Sequence, residues 1–313
     1  MELHSSLSAR VSMHILNVSS YDHPNRSHVQ FSASNMEPDK PSNQPIGNTT
    51  LLSLPAEIRL AIFEYTFQDN AEKVGFRNHN VPGGVVVDER YFASNGLALL
   101  LTCRQLYQDA SLIAMSKTPF MVSNLFSQVP DRLSVLHPKQ QSAIRHLSFA
   151  ADARHFRRFV DWNPHAFGMR NLNLDTLTVV LHQSTTWHYL FDFTYDIVRM
   201  LRTLCNVKRF VFVRNAARVK GSFKTWYNRL VGLIMKVDHQ ERYERSDPKP
   251  EDVWWDWEFD DLGQRICLDA RPPREMVEEE VYLEDILPHM EALRRSIEGE
   301  EFNPDPRSRM MYY

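Results

Sequence analysis

Three features of the sequence predict a mixed α/β fold (α+β or α/β), in which a helical pair precedes a mixed sheet with alternating helices. Two amphipathic segments come first, one led by Pro55 and one running from Leu97 to Lys117. Short apolar runs of strand length then alternate with helical stretches from residue 124 onward, the pattern of layered α/β proteins. Finally, the segment VWWDWEFDDLGQRICLDA turns on itself at Asp261-Leu262-Gly263, as an antiparallel hairpin does.

The first ordered element is expected at LLSLPAEIRLAIFEYTF, Leu51 to Phe67. Leu54 falls at the helix cap, Pro55 at the first helical position and Glu57 at the third. Proline loses nothing there because that N–H has no partner within the helix, and the Glu57 carboxylate suits the positive end of the dipole. The helix is expected to end near Gln68-Asp69-Asn70. Ile58, Ile62 and Tyr65 are spaced to line one face, while Leu60, Phe63 and Phe67 line nearly the opposite one. A surface helix ordinarily hides a single stripe, so the second stripe calls for a cover, either a partner or another layer of the same domain.

Residues 71–96 contain VPGGVVVDERYF and read as a loop or short hairpin around Pro82-Gly83-Gly84. Leu99, Cys103, Leu106, Ala110 and Ile113 then recur at helical spacing, with a stop at Thr118-Pro119 and a short strand over Phe120–Val122. SNLFSQVPDRLSVL reads as a short helix. Ile144–Phe149, Leu174–Leu181 and Val207–Val213 read as strands, and Tyr195–Leu204 and Phe223–Tyr243 as helices. The spacing is too irregular to define a repeat, and a degenerate leucine-rich-repeat-like curvature stays open as a variant. Four regions result: a disordered segment over 1–48, rich in Ser, Asn, His and Pro; a helical module over 49–123; an α/β interaction domain over 124–274; and an acidic helical tail over 275–313.

Composition excludes several classes. The 43% hydrophobic content can build a core, and a net charge of -3 does not suit a dedicated nucleic-acid binder. The three cysteines, Cys103, Cys205 and Cys267, are far apart and form no metal-ligand spacing, which favours a reducing cytoplasmic or nuclear compartment over a disulfide framework. No apolar run reaches the roughly 20 residues that span a bilayer, so no membrane association is expected.

With LPAEIRLAIFEYTF and LLLTCRQLYQDASL in place, the pairing resembles an F-box-like module of the kind found at the start of many fungal proteins. The resemblance rests on Leu54, Pro55, Glu57, Ile58, Ile62 and Tyr65 in the first half and on Leu101, Cys103, Arg104 and Ala110 in the second. Glu57-Ile58-Arg59 matches one of the paired Glu-x-Arg motifs of a related fungal group, and Ile144-Arg145-His146-Leu147 matches a following strand. It covers roughly residues 50–150. The resemblance implies docking of the Skp-type adaptor of a cullin ubiquitin ligase through Leu54, Pro55, Ile58, Leu60, Ile62, Phe63 and Phe67. It also implies that the remainder of the chain captures a protein target that the sequence does not name.

Catalytic signatures are missing: there is no nucleophile elbow, phosphate loop, dinucleotide fingerprint or zinc-protease helix. No cofactor and no metal are expected, and the chain reads as a non-enzymatic interaction protein. The 13 histidines raise a metal reading, but most are scattered, and His182 and His188 are separated by residues expected to span a strand end and a loop; Asp256/Glu258 and Asp260/Asp261 are acid pairs better explained as solvated strand positions. The charge pattern is more telling. Ten Lys or Arg and no acid occupy residues 197–237, whereas 238–313 holds 22 acids against 10 Lys or Arg. One reading is a nucleic-acid strip over Lys208, Arg209, Arg214, Arg218, Lys220 and Lys224, with Phe210, Phe212, Phe223 and Trp226 as stacking platforms. The favoured reading pairs the basic and acidic segments within one fold, since a neighbouring acidic tail repels phosphate. In WWDWEF, alternation places Trp255, Trp257 and Phe259 on one face, expected to be the core face of a sheet.

Overall fold

The computed structural model describes residues 50–67, 75–78, 84–125 and 128–302. The expected disorder of 1–48, the helix end at 68–70, most of the Pro-Gly-Gly turn and the end of the acidic tail fall outside these residues.

A 3-10 turn at Leu51–Ser53 leads into helix α1, Ala56–Thr66. The helix starts one residue later than predicted, with Pro55 as its cap (φ -51°, ψ 147°) and its carbonyl accepting from the Arg59 amide at 3.1 Å. Strands β1 (Phe76–Asn78) and β2 (Val85–Val87) form a separate antiparallel hairpin. The second amphipathic segment is not one continuous helix. A 3-10 turn covers Ala98–Leu101, and α2 begins only at Arg104 and runs to Lys117. The break has a local cause. Cys103 is extended and its Sγ accepts a hydrogen bond from the Leu106 amide at 3.5 Å, taking the capping role usually filled by Ser or Asp.

The main sheet follows: β3 (Pro119–Val122), β4 (His146–Ala151), β5 (Leu174–Leu181), helix α3 (Thr194–Leu201), β6 (Val207–Val213), helix α4 (Phe223–His239), β7 (Trp254–Asp260), β8 (Arg265–Arg271) and helix α5 (Glu279–Phe302). Its six strands lie in the order β3-β4-β5-β6-β8-β7. The first four are parallel, and the β7–β8 hairpin adds two antiparallel strands at one edge. The fold is thus mixed α/β with an antiparallel edge. The strand sequences explain the order. Val-Val-Leu at the end of β5 and Phe-Val-Phe-Val at the end of β6 are buried without alternation, as central parallel strands covered on both faces must be. In β7, Asp256 and Glu258 are exposed and alternate with half-buried Trp257 and Phe259, as suits an edge.

The aromatic residues fill the layer between the sheet and its helices. Phe212 and Trp226 meet edge-on at 5.1 Å, and Phe156 stacks on Trp226 at 6.3 Å. Phe259 packs on Phe223 and Tyr227 of α4 at 6.3 and 5.3 Å, and the Trp255 indole donates to the Leu201 carbonyl at 2.8 Å. The aromatic face of β7 is therefore core. Trp254, assigned by alternation to the opposite face, is also buried, because the Arg274 guanidinium lies over its ring at 4.0 Å. Buried apolar residues form one contiguous cluster from Phe63 of α1 to Ile286 of α5. No helix among the described residues is long and apolar enough to cross a membrane.

Candidate functional site

One arginine supplies the polar tie between α1 and α2. Arg59 reaches Asp109 of α2 with Nε at 3.0 Å and Nη2 at 2.8 Å, while its Nη1 donates to the Leu54 carbonyl at 2.7 Å. The guanidinium thereby fixes both the entry turn and the partner helix, and it is mostly buried with a shielded carboxylate opposite, where such a pair counts for more than on an open surface. Asp109 carried no signal in the sequence that set it apart from any other acid on a helix.

Around this clamp the two apolar stripes of α1 meet different fates. Phe63 is fully buried and Phe67 nearly so, both joined to the main core. Leu60, predicted to share their face, is instead exposed, because it sits at the margin of the buried arc while Arg59 fills the other side. Ile58 (50% exposed), Ile62 and Tyr65 (83% exposed) form an open apolar line on the opposite face. Leu54 is half-buried and Pro55 exposed at the entry. Of the predicted partner-binding residues, Phe63 and Phe67 are thus internal supports, and Ile58, Ile62 and Leu60 remain available for contact. α1 is thus covered along Phe63 and Phe67 and open along Ile58, Ile62 and Tyr65, so the expectation that both stripes are buried within one domain does not hold.

The basic strip does not form one surface. Lys208 and Arg209 lie at the start of β6, where they pair with Asp175 at 2.7 Å and Asp269 at 2.7 Å. Arg214 lies at its far end and bonds the Ala217 carbonyl and the Gln264 side chain. Arg209 and Arg214 are five positions apart along the extended chain, about 17 Å. Arg218 and Lys220 are exposed in the following loop, where Arg218 touches the Thr185 carbonyl at 3.4 Å, and Lys224 is half-buried. The intended stacking platforms, Phe210, Phe212, Phe223 and Trp226, are all fully buried and reach no base. Stacking by these four rings is thereby ruled out, since a base needs an accessible ring face.

Acidic residues after position 238 instead neutralise basic ones inside the fold. Asp238, Arg242 and Glu251 form a buried network. Arg242 meets Asp238 at 3.0 Å and Glu251 at 2.6 Å, and Asp238 also accepts from Arg202 at 2.9 Å and from the Tyr282 hydroxyl at 2.9 Å. Burial opposes ionisation of Asp238, but its hydrogen bonds and the Arg242 charge hold its carboxyl below the usual range. Burial and the neighbouring Asp238 push Glu251 the other way, upward. The arrangement locks α3, α4 and α5 together.

His188 is equally structural. It is buried, its Nδ1 accepts from the Ala153 amide at 3.4 Å, and its Nε2 donates to the His182 carbonyl at 2.8 Å. With both nitrogens engaged by backbone it is not free to ligate, and no group of three His, Cys, Asp or Glu able to hold a metal occurs among the described residues. A cleft of about 310 Å³ opens beside β4 between Val129 and Pro130 on one side and Phe159, Trp162 and Phe167 on the other. Its walls combine these apolar and aromatic side chains with the polar side chains of Gln128, His155 and Arg158.

The class defined by these features is a mixed α/β protein carrying an N-terminal helix with one open apolar face. No protein-family model, no curated protein and no solved structure matches the chain.

Proposed function

We propose that this chain is a non-enzymatic interaction protein that docks a Skp-type adaptor of a cullin ubiquitin ligase through α1, while the sheet domain presents a surface to a protein target. One observation supports the reading: Ile58, Ile62 and Tyr65 form an exposed apolar line on a helix whose other face is fixed to the core by Phe63, Phe67 and the Arg59–Asp109 clamp. A rigid helix with anchors at i, i+4 and i+7 is the geometry by which one helical surface fits another protein's groove. The F-box resemblance supplies the identity of the adaptor, with Leu54, Pro55 and Leu60 at the margins of the contact. The ligase role places the chain in the cytoplasm or nucleus.

The test is co-purification of the adaptor with wild type and with Ile58→Asp/Ile62→Asp. Retention by wild type and loss by the variant at unchanged melting temperature supports the assignment. Equal retention by both, or none by either while both are folded, removes it. Leu60→Asp serves as the marginal variant, with a partial loss expected, and Phe63 is left intact because its replacement would unfold the site.

A further inference from the structure

The cleft of about 310 Å³ beside β4 is lined by Phe149 near the carboxyl end of that strand, which pairs parallel with β3 and β5. Open α/β sheets take their ligands at the carboxyl ends of such strands. The chain leaves β4 through a 3-10 helix, Ala153–Trp162. Residues three apart stand above one another in that geometry. Phe156, Phe159 and Trp162 therefore form a buried column, and His155 and Arg158 form the next one, along the cleft.

The three arginines of this helix are used differently. Arg154 pairs with Asp152 at 3.0 Å, and the Arg157 guanidinium lies over the Phe193 ring at 5.1 Å. Arg158 is exposed at the cleft and makes no hydrogen bond or ion pair among the described residues. Nδ1 of His155 accepts from the Asp152 amide at 3.1 Å in the capping box that starts the helix, so the proton of the neutral ring sits on Nε2, a second donor. No Asp or Glu lines the cleft among the described residues. The remaining wall is aromatic. Trp162 lies between Phe159 and Phe167, 4.4 Å from each ring centre. Phe167 stands at φ 58° and ψ 15°, a left-handed conformation that a bulky residue rarely adopts. Such strain persists only where the surroundings impose it, and it collects at ligand sites. Here it holds a half-buried ring against Trp162 and 5.4 Å from Phe149, as part of the wall.

We propose that this cleft binds a small aromatic carboxylate, its ring against Trp162 and Phe167 and its carboxylate on the Arg158 guanidinium and His155 Nε2. Aromatic walls favour a planar ring, and an unpaired guanidinium beside a ring N–H favours a carboxylate. The volume is near the lower end for small-molecule sites, which sets the scale of the ligand. The experiment is calorimetric titration of the full chain with naphthoate and with its uncharged counterpart naphthamide, in wild type and in Arg158→Gln. Arg158 is exposed, so the variant is expected to keep the wild-type melting temperature. Wild type is expected to bind the acid roughly tenfold more tightly than the amide, the worth of one charge-assisted contact. Arg158→Gln should lose that preference and keep the weaker binding of the amide. A second variant, Phe167→Gly, suits the left-handed backbone but removes the wall, and it should weaken both compounds in a protein that stays folded. No binding of naphthoate by wild type at millimolar concentration overturns the proposal. So does equal affinity for acid and amide, a preference for the acid that survives in Arg158→Gln, or unchanged binding in Phe167→Gly.

Discussion

The sheet and the leading helix pair use the same kinds of residue to different ends. In the sheet, Phe210, Phe212, Val179 and Val180 lie between layers, and almost every apolar side chain of the central strands is hidden. In α1 and its C-terminal cap, two large apolar residues, Phe63 and Phe67, enter the core, and four more remain at the surface. A central strand has two faces and both are covered by the chain's own layers, whereas a peripheral helix has only one neighbour. The residues left over on α1 are the ones that distinguish a surface for contact from a scaffold.

Four measurements break or sharpen that contrast. The largest effect is expected at Arg242→Met. It leaves buried Glu251 without its guanidinium and Asp238 with only Arg202 and Tyr282, and should cost about 3–5 kcal/mol in urea unfolding. Phe63→Ala removes the main tie of α1 to the core, and about 3 kcal/mol is expected. A loss confined to α1 in hydrogen exchange, with the sheet unaltered, would show the helix to be an appendage rather than part of the cooperative unit. Arg59→Met breaks the clamp to Asp109 and the Leu54 carbonyl, with about 1 kcal/mol expected. Ile62→Ser, on the open face, should change stability by less than about 0.5 kcal/mol. A larger loss would mean that the stripe is covered by this chain.

The buried network also fixes a response to pH. Asp238 has its folded-state value depressed below 3.8, so its contribution is present above that value and is lost as pH falls through the folded value. Glu251 is raised above 4.5, so its contribution is complete below that value and is lost as pH rises through the folded one. Asp238→Asn should therefore flatten the acid side of the stability profile, read as urea midpoints at pH 7, 5 and 3. An unchanged acid slope would assign acid unfolding to other carboxylates.

Much of the architecture was legible because it depends on local pattern. Leu174–Leu181 and Val207–Val213 were readable as strands with their observed bounds, and the Asp261-Leu262-Gly263 turn announced the β7–β8 hairpin. The misreadings share one origin. The helix predicted through Leu99 and Cys103 was interrupted by a thiol cap, which helical periodicity does not register. The stripe of Leu60, Phe63 and Phe67 was drawn from angle alone, yet an arginine took part of the buried arc. The basic strip was contiguous in sequence, but a strand carries successive groups far apart. Asp238, Arg242 and Glu251 showed no sign of meeting, because their acid and base signals are those of any solvated helix or loop.

Periodicity, turn residues and the opposed charges of two segments were enough to specify the mixed α/β class, most of its strands and a general pairing of a basic with an acidic segment, though not which residues pair. These are properties of neighbours along the chain, and they survive without knowledge of what packs where. Which face of α1 is hidden, and which aromatic residues are out of reach, were decided only when distant segments came together. Burial is a relation between surfaces, and a side chain carries no record of the partner that will cover it.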